Sequence, residues 1–196
     1  MNRPIINVDL DGVVFDFVGA FGDFCSHMLH RNLPRPTIWD FWTEWDISFE
    51  DWKDLFQEAV AAGLWVRRSA LISGAREALQ ALSDLEYHIR IVTTRLVHAR
   101  GFAMAASDTV VWLETAQIPY RSLAIIGPGD SKAHYEAQVI IDDYLPNVAD
   151  FISVPGRLGI VFDQPWNQDT TSLTKQVHRA RGWSETLTQV QELVPV

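Results

Sequence analysis

Two closely spaced pairs of aspartates are the residues of this chain best suited to chemistry. Asp9 and Asp11 are separated by one residue. Asp142 is followed directly by Asp143, and Lys132 lies ten residues before this second pair. Carboxylate oxygens are ligands that Mg²⁺ prefers in proteins, and an aspartate can also act as a nucleophile or a proton donor. With a lysine to stabilise negative charge, these residue types suit a site that binds magnesium and a phosphate ester.

Each of these residues lies near the end of a segment that is predicted to be a short β-strand. The predicted strands cover residues 5–8, 89–92, 123–126, 139–141 and 159–162. The first aspartate pair follows the first strand, Thr93 and Thr94 follow the second, and the second aspartate pair follows the fourth. In a parallel sheet the carboxyl ends of the strands form one edge, where ligands bind. We therefore expect the aspartates, the two threonines and Lys132 to meet at this edge.

Helices are predicted between these strands. They cover residues 17–29, a segment that begins at Ser48 and ends at Gly63, and residues 74–82, 107–116, 131–137 and 184–193. Ser48 is a favourable N-cap, and glycine is a favourable residue at the end of a helix. Short apolar strands that alternate with helices predict an α/β fold, in which helices cover both faces of a doubly wound parallel sheet.

A helical block interrupts this alternation directly after the first strand. We predict that residues 17–70 form a small helical cap over the strand ends, and that residues 1–16 and 71–196 form the core. Twelve of the 22 aromatic residues fall between Phe15 and Trp65. Most of them are expected to form the interior of the cap, and a few could line a substrate pocket.

The composition limits the partners of the protein. The formal net charge of −9 argues against binding to long nucleic acids or to anionic membranes, because both require clustered positive charge. Cys25 is the only cysteine, which excludes a disulfide within the chain and a zinc site built from several thiolates. The sequence shows neither a secretion signal nor an apolar run of membrane-spanning length, so we expect a cytoplasmic protein without membrane partners.

Taken singly, the chemical features have simpler explanations. An Asp-x-Asp-Gly turn is usually a polar loop, paired aspartates often cap helices, and a lone lysine usually lies on the surface. Their order along the chain and their shared position at strand ends are harder to explain without a ligand.

Four segments, taken in order, resemble the four motifs of the haloacid-dehalogenase-like (HAD) superfamily. They are residues 9–13 (DLDGV), residues 91–94 (IVTT), Lys132 and residues 140–143 (IIDD). The resemblance implies the same α/β fold that the alternation of elements predicts, and it implies phosphate chemistry.

Within this superfamily the chain is most similar to the 5'(3')-deoxyribonucleotidase family, which also places its motif lysine ten residues before the aspartate. Phe17 matches an aromatic residue in the pocket of that family, and residues 40–43 resemble the Phe-Trp segment of its cap. Residues 145–147 and 162–167 resemble further stretches of bacterial and phage relatives. The chain departs from the animal enzymes at Asp130, where they carry an arginine, and at Arg95, where they carry a proline.

The resemblance implies a magnesium-dependent phosphatase that acts on nucleoside monophosphates. Asp9 would be the nucleophile and form an aspartyl-phosphate, and Asp11 would be the general acid and base. The residues expected to bind phosphate are Thr93, Thr94 and Lys132. The expected Mg²⁺ ligands are Asp9, the backbone carbonyl of Asp11 and the pair near residue 142, with Asp143 as the direct ligand and Asp142 in support. The aromatic residues expected to close over the substrate are Phe17, Phe41 and Trp42.

Several alternatives remain open at this point. A phosphatase for sugar phosphates or another small metabolite would use the same catalytic residues, and Phe41 and Trp42 could serve only as the interior of the cap. A dehalogenase shares the nucleophile, but it needs neither the acid Asp11 nor a magnesium site. A non-catalytic nucleotide-binding module would be expected to lack one of the motif residues. We expect the protein to act as a monomer or a homodimer.

Overall fold

The computed structural model describes residues 3–95, 102–127, 129–169 and 174–196, and it contains a parallel six-stranded sheet. The strands are β1 (Ile5–Val8), β2 (His88–Thr93), β3 (Ser122–Ile125), β4 (Val139–Asp142), β5 (Leu158–Phe162) and β6 (Val177–Ala180). Their order in the sheet is β3-β2-β1-β4-β5-β6, and every neighbouring pair is parallel. This order places β1 between β2 and β4, so the chain segments that follow these three strands lie side by side.

Six α-helices accompany the sheet in the described part of the chain. They are α1 (Phe17–Met28), α2 (Phe49–Ala61), α3 (Ala75–Asp84), α4 (Phe102–Thr115), α5 (Leu145–Ile152) and α6 (Trp183–Leu193). Short 3₁₀ turns occur at Leu64–Val66, Arg68–Ala70, Lys132–His134 and Pro165–Asn167. Ser48 caps α2 as predicted, because its hydroxyl accepts a hydrogen bond from the Asp51 amide at 3.1 Å. None of the helices in the described ranges combines the length and the apolar character needed to cross a membrane.

The segment between β1 and α3 leaves and rejoins the core at one place. The Asp16 amide donates to the Ala70 carbonyl at 2.6 Å, and the Ile72 amide donates to the Val14 carbonyl at 2.9 Å. Residues 17–70 therefore form an insertion, called the excursion below, whose two ends are held together by hydrogen bonds between the flanking residues. Its interior is aromatic, with Phe21 at the centre of contacts with four other rings in addition to Phe17. Those rings belong to Phe41, Trp45, Trp52 and Phe56.

Four elements differ from the sequence prediction. The helix predicted over residues 131–137 is only the 3₁₀ turn Lys132–His134, because the chain becomes extended at Tyr135 to enter β4. Helix α4 already includes Phe102, ahead of the predicted start at residue 107, since the Phe-Ala-Met-Ala-Ala run of residues 102–106 also favours a helix. Neither α5 nor β6 was predicted. Helix α5 begins at Leu145 and is only 8 residues long, and β6 is a half-exposed edge strand without an apolar run.

Candidate active site

Three buried aspartates gather at the carboxyl ends of β1 and β4. Asp9 follows β1 directly, and its amide donates to the Ile141 carbonyl of β4 at 2.9 Å. One carboxylate oxygen from each of Asp9, Asp142 and Asp143 lies within 4.8 Å of the others. Residues more than 130 positions apart in the sequence are thus brought together by the pairing of β1 with β4. The two aspartate pairs therefore meet at the sheet edge where the sequence predicted a ligand.

Lys132 lies inside this cluster. Its Nζ is 2.7 Å from Asp9 Oδ1 and 2.7 Å from Asp142 Oδ2, and the residue is only 3% exposed. Burial alone would lower the pKa of Lys132, but the carboxylates of Asp142 and Asp9 outweigh it and raise the pKa. The lysine is therefore charged at neutral pH, and it neutralises one of the three carboxylates.

The remaining carboxylates are poorly compensated by the protein. The pKa of Asp9 is raised to about 7, chiefly because the carboxylate is buried; Lys132 opposes this rise, and the charges of Asp142 and Asp11 add to it. Burial, together with the charges of Asp142 and Asp9, also raises the pKa of Asp143 well above its ordinary value. Three buried carboxylates with one lysine carry excess negative charge, and all the donor atoms are oxygens. This donor set fits a hard divalent cation such as Mg²⁺.

The two adjacent aspartates have different surroundings. Asp142 accepts hydrogen bonds from the Tyr144 amide at 2.9 Å and from Asn147 Nδ2 at 3.2 Å, in addition to Lys132. Asp143 faces a cavity at the sheet edge, and its Oδ2 accepts a hydrogen bond from Trp166 Nε1 at 3.0 Å. Asp142 is thus saturated with protein donors, whereas Asp143 keeps oxygen lone pairs that a ligand could use.

Gly12 allows the two aspartate-bearing loops, after β1 and after β4, to approach closely. Its φ angle is +82°, and a Cβ atom at this position would lie 2.2 Å from Asp143 Oδ2. Since Asp143 is buried and held by Trp166, it cannot move aside easily. The glycine of the Asp-x-Asp-Gly sequence is therefore required both for its backbone conformation and for its lack of a side chain.

The segment after β5 supports both loops, although the sequence assigned it no role. Gln164 Nε2 donates to the Gly12 carbonyl at 2.6 Å, and Asn167 Nδ2 donates to the Asp143 carbonyl at 2.8 Å. Both residues are buried, as is expected for side chains that satisfy backbone carbonyls inside the protein. Residues 162–167 were singled out only because they resemble a stretch of relatives. Their local pattern does not reveal which loops they hold.

Asp11 points to a different partner from the other aspartates. Its carboxylate pairs with the guanidinium of Arg95, with Nη2 to Oδ1 at 2.7 Å and Nε to Oδ2 at 3.0 Å. The sequence places Arg95 after the second predicted strand and marks it as a departure from the animal enzymes, but it predicts no contact with Asp11. No local pattern indicated this contact, since the two residues are 84 positions apart.

The two threonines at the end of β2 both line the cavity. Thr93 is buried, and its hydroxyl has no hydrogen-bond partner within the described part of the chain. A buried hydroxyl without a partner costs free energy, which a bound ligand could recover. Because Thr93 lines the same cavity as Asp9 and Lys132, its hydroxyl suits an oxygen-rich ligand such as phosphate.

A cavity of about 450 Å³ lies between this edge and the segment 17–70. The sequence predicted ten site residues, and the structure places nine of them on the wall of this cavity. These are Asp9, Asp11, Phe17, Phe41, Trp42, Thr93, Thr94, Lys132 and Asp143. Asp142 lies behind the wall, against Lys132.

The aromatic half of the cavity belongs to the excursion. Phe17 stacks on Trp65 with ring centroids 5.8 Å apart, and Trp65 carries an indole N–H that has no partner among the described residues. Phe41 is only 7% exposed and packs on Trp45, so it contributes to the aromatic interior as well as to the cavity wall. Trp39, which was not predicted, is 46% exposed and meets Tyr144 across the cavity, with ring centroids 4.2 Å apart.

Comparison with known proteins identifies the family. The family described as "5' nucleotidase, deoxy (Pyrimidine), cytosolic type C protein" matches residues 3–194 of this chain. The chain belongs to this family. It is a phosphoric monoester hydrolase, as the motif resemblance implied. A Chlorobaculum tepidum protein described as "Putative 5'(3')-deoxyribonucleotidase" is 32% identical over 197 residues, which cover 98% of this chain and 93% of that protein.

Solved structures confirm the HAD-like fold. A haloacid dehalogenase-like hydrolase from Streptococcus pneumoniae aligns with a TM-score of 0.63 at 17% identity, covering 96% of this chain and 99% of that chain. A HAD-hydrolase from Bacillus subtilis, solved with bound magnesium, aligns with a TM-score of 0.59 at 13% identity, covering 100% of both chains. At these identities the likeness concerns the architecture alone, and it agrees with the parallel sheet that the sequence predicted.

Proposed function

We propose that this member of the family is a magnesium-dependent phosphatase that hydrolyses nucleoside monophosphates, deoxyribonucleotides included, to nucleoside and phosphate. One observation carries the proposal: a nucleophile, a lysine and metal-suited carboxylates lie at one end of a cavity whose other end is aromatic. Phosphate chemistry needs the nucleophile, the lysine and the metal-suited carboxylates, and the aromatic end of the cavity favours recognition of a planar base. The name of the Chlorobaculum relative supports the same substrate class.

Asp9 is the proposed nucleophile. One of its oxygens forms a bond to phosphorus while the bond to the leaving ester oxygen breaks, which gives an aspartyl-phosphate. Lys132 contacts Asp9 Oδ1 at 2.7 Å, so it orients the carboxylate and stabilises negative charge on the transferring group. The hydroxyl of Thr93 and the backbone amide of Thr94 are proposed to donate hydrogen bonds to the phosphate oxygens in the same corner of the cavity.

Asp11 is the proposed acid and base. In the first step it donates a proton to the leaving oxygen, so that the nucleoside departs as an alcohol. In the second step it takes a proton from the water that attacks phosphorus, which releases phosphate and restores Asp9. Its side chain is 24% exposed and lines the cavity, so a substrate and a water molecule can both reach it.

Asp9, Asp143 and the backbone carbonyl of Asp11 are proposed to hold Mg²⁺, with Asp142 supporting them through Lys132. A bound Mg²⁺ would supply positive charge that offsets the repulsion between a carboxylate nucleophile and a phosphate dianion. The charge balance described above supports this assignment, because the protein itself leaves these carboxylates under-compensated.

Phe17 and Trp42 are proposed to contact the base, with Phe41 fixing them from behind. Base stacking on aromatic side chains contributes about 1–3 kcal/mol per base, which is enough to favour nucleotides over bare sugar phosphates. The unpartnered indole N–H of Trp65 would find an acceptor on a nucleotide, whereas a purely apolar substrate would leave it unsatisfied.

We further propose that residues 17–70 act as the cap and that residues 1–16 and 71–196 act as the catalytic core. The hydrogen bonds that join the two ends of the excursion support this division. All the proposed site residues come from one chain, so a monomer or a homodimer would both be competent. The word "cytosolic" in the family description supports a cytoplasmic location.

A substrate panel tests the proposal. Turnover of deoxyribonucleoside and ribonucleoside monophosphates is compared with that of sugar phosphates and p-nitrophenyl phosphate, each with Mg²⁺ and with a chelator. We expect the highest kcat/KM for nucleotides, no turnover in the chelator, and no turnover by Asp9→Asn. Asp84→Asn, at an exposed position at the end of α3, is the matched control and should behave as wild type. Equal or better turnover of sugar phosphates would reject the nucleotide assignment.

A further inference from the structure

Arg95 is a buried cation paired with the proposed acid. Its side chain is fully buried, and its guanidinium donates to both oxygens of Asp11, with Nη2 to Oδ1 at 2.7 Å and Nε to Oδ2 at 3.0 Å. Among the described residues, Arg95 is the only one that donates hydrogen bonds to this carboxylate. A two-point contact of this kind fixes the orientation of a carboxylate as well as its position.

The guanidinium itself is held from three sides. Its carbon lies 4.3 Å from the centroid of Trp65 and 4.7 Å from that of Phe15, and Nη1 lies 3.4 Å from Thr109 Oγ1 in α4. Phe15 belongs to the loop after β1, and Trp65 belongs to the cap and lines the cavity. Arg95 therefore has little freedom to follow Asp11 if that residue moves, and Asp11 takes its direction from Arg95.

The chemistry of the leaving group explains why the orientation of Asp11 by Arg95 would matter for the reaction. The oxygen of a nucleoside is a poor leaving group, so the P–O bond breaks readily only if a proton reaches that oxygen as it departs. Such a transfer requires the acid to be within hydrogen-bond reach at the correct angle. The carboxylate that must meet this requirement is the one that Arg95 orients.

We infer that Arg95 is a positioning residue for the reaction: it aims the Asp11 carboxyl group at the leaving oxygen of the substrate. The inference rests on the proposed function, in which the protonated form of Asp11 transfers its proton to that oxygen while Asp9 bonds to phosphorus. The transfer leaves Asp11 as the carboxylate that Arg95 contacts in the structure. Arg95 itself touches neither the reacting atoms nor the leaving group in this account. It acts only through Asp11.

Two substrates with different leaving groups separate this role from a structural one. A deoxyribonucleoside 5'-monophosphate needs the proton, whereas p-nitrophenolate is stable enough to depart without it. The quantity to compare is kcat/KM, because it covers the steps up to transfer of phosphate to Asp9 and excludes the later attack of water. We expect Arg95→Met to lower kcat/KM by about 100-fold or more for the nucleotide and by less than about 5-fold for p-nitrophenyl phosphate. Arg95→Lys should retain more nucleotide activity than Arg95→Met, because lysine keeps the positive charge but cannot form the two-point contact of a guanidinium.

The chain offers a matched control. Arg35 forms a two-point pair with Asp16, at 3.0 and 3.2 Å, on a part of the surface that does not border the cavity. Arg35→Met should leave kcat/KM unchanged for both substrates. A double variant gives a second control, because Arg95→Met should add no more than about 3-fold to the nucleotide loss already caused by Asp11→Asn if Arg95 acts through Asp11.

The outcomes are distinct. Equal losses for both substrates, no loss for either, or a full additional loss in the Asp11→Asn background would overturn the role of Arg95 while leaving the phosphatase assignment intact. A wild-type protein that hydrolyses neither substrate would instead reject the proposed function. If circular dichroism shows that Arg95→Met does not fold, Arg95→Lys carries the comparison. A loss confined to the nucleotide then supports the inference, and equal losses overturn it.

Discussion

Replacing Gly12 by alanine tests whether close contact between the two aspartate loops builds the site. The new Cβ would lie 2.2 Å from Asp143 Oδ2, which is well inside van der Waals contact. The φ angle of +82° also disfavours any residue with a Cβ, at a cost of about 1–2 kcal/mol. Displacing a buried, hydrogen-bonded carboxylate adds an overpacking cost of about 1–3 kcal/mol. We expect Gly12→Ala to lower the free energy of unfolding by about 2–5 kcal/mol, and to weaken Mg²⁺ binding by about 10- to 100-fold.

Gly156 supplies the control for this experiment. Its φ angle is +84°, but a Cβ there would meet nothing within 4 Å, so Gly156→Ala isolates the backbone cost. Urea unfolding gives the stability of both variants, and the Mg²⁺ dependence of turnover gives the apparent metal affinity. Gly156→Ala should lose about 1–2 kcal/mol and retain wild-type metal affinity. Similar losses of stability in the two variants, with metal affinity unchanged in both, would refute the reasoning.

Three further predictions concern the groups around the acidic cluster. Trp166→Phe removes the hydrogen bond to Asp143 Oδ2 but keeps an aromatic ring. We expect it to weaken the apparent Mg²⁺ affinity, measured from the Mg²⁺ dependence of turnover, by about 10-fold. An unchanged midpoint of this titration would show that the hydrogen bond does not hold Asp143 in place for the metal. Burial raises the pKa of Asp9 from 3.8 to about 7 in the folded protein without metal. Between these two pH values the folded protein therefore holds a proton that the unfolded chain releases. The stabilisation that this proton provides is complete below pH 3.8 and is lost as the pH rises through about 7. Thermal unfolding in a chelator between pH 5 and pH 8 should show this decline in wild type and a weaker one in Asp9→Asn, and equal slopes would exclude Asp9 as its source. Burial also raises the pKa of the Cys25 thiol to about 12. We therefore expect an aromatic disulfide reagent at pH 8 to label Cys25 only as fast as the protein opens or unfolds. Rapid labelling of the native protein would contradict the buried position of this thiol.

Much of the sheet could be predicted because its central strands are short apolar runs buried on both faces. The prediction for residues 5–8 coincides with β1, and the predictions for β2, β4 and β5 fall within the observed strands. Strand β6 escaped prediction because its sequence, Val-His-Arg-Ala, has no apolar run and lies at the edge of the sheet. The family likeness and the HAD-like architecture were confirmed.

The candidate site divides in the same way. Asp9, Asp143 and Lys132 could be predicted to meet because each lies at or near the end of a strand and parallel pairing determines where those ends go. The contacts from Arg95 to Asp11 and from Gln164 to Gly12 could not, since they join residues 84 and 152 positions apart through side chains. Sequence spacing locates a residue on an element, but side-chain direction across such distances depends on packing that only the folded chain provides.

Trapping of the phosphorylated protein tests the central claim most directly. The protein is mixed with Mg²⁺ and a deoxyribonucleoside 5'-monophosphate labelled in its phosphate, and the reaction is quenched with acid within milliseconds to seconds. We predict that the label becomes bound to the protein, that it resides in the peptide containing Asp9, and that it is absent from Asp9→Asn and from the protein without metal. Rapid turnover with no protein-bound label at any time, or a label on a residue other than Asp9, would contradict the account.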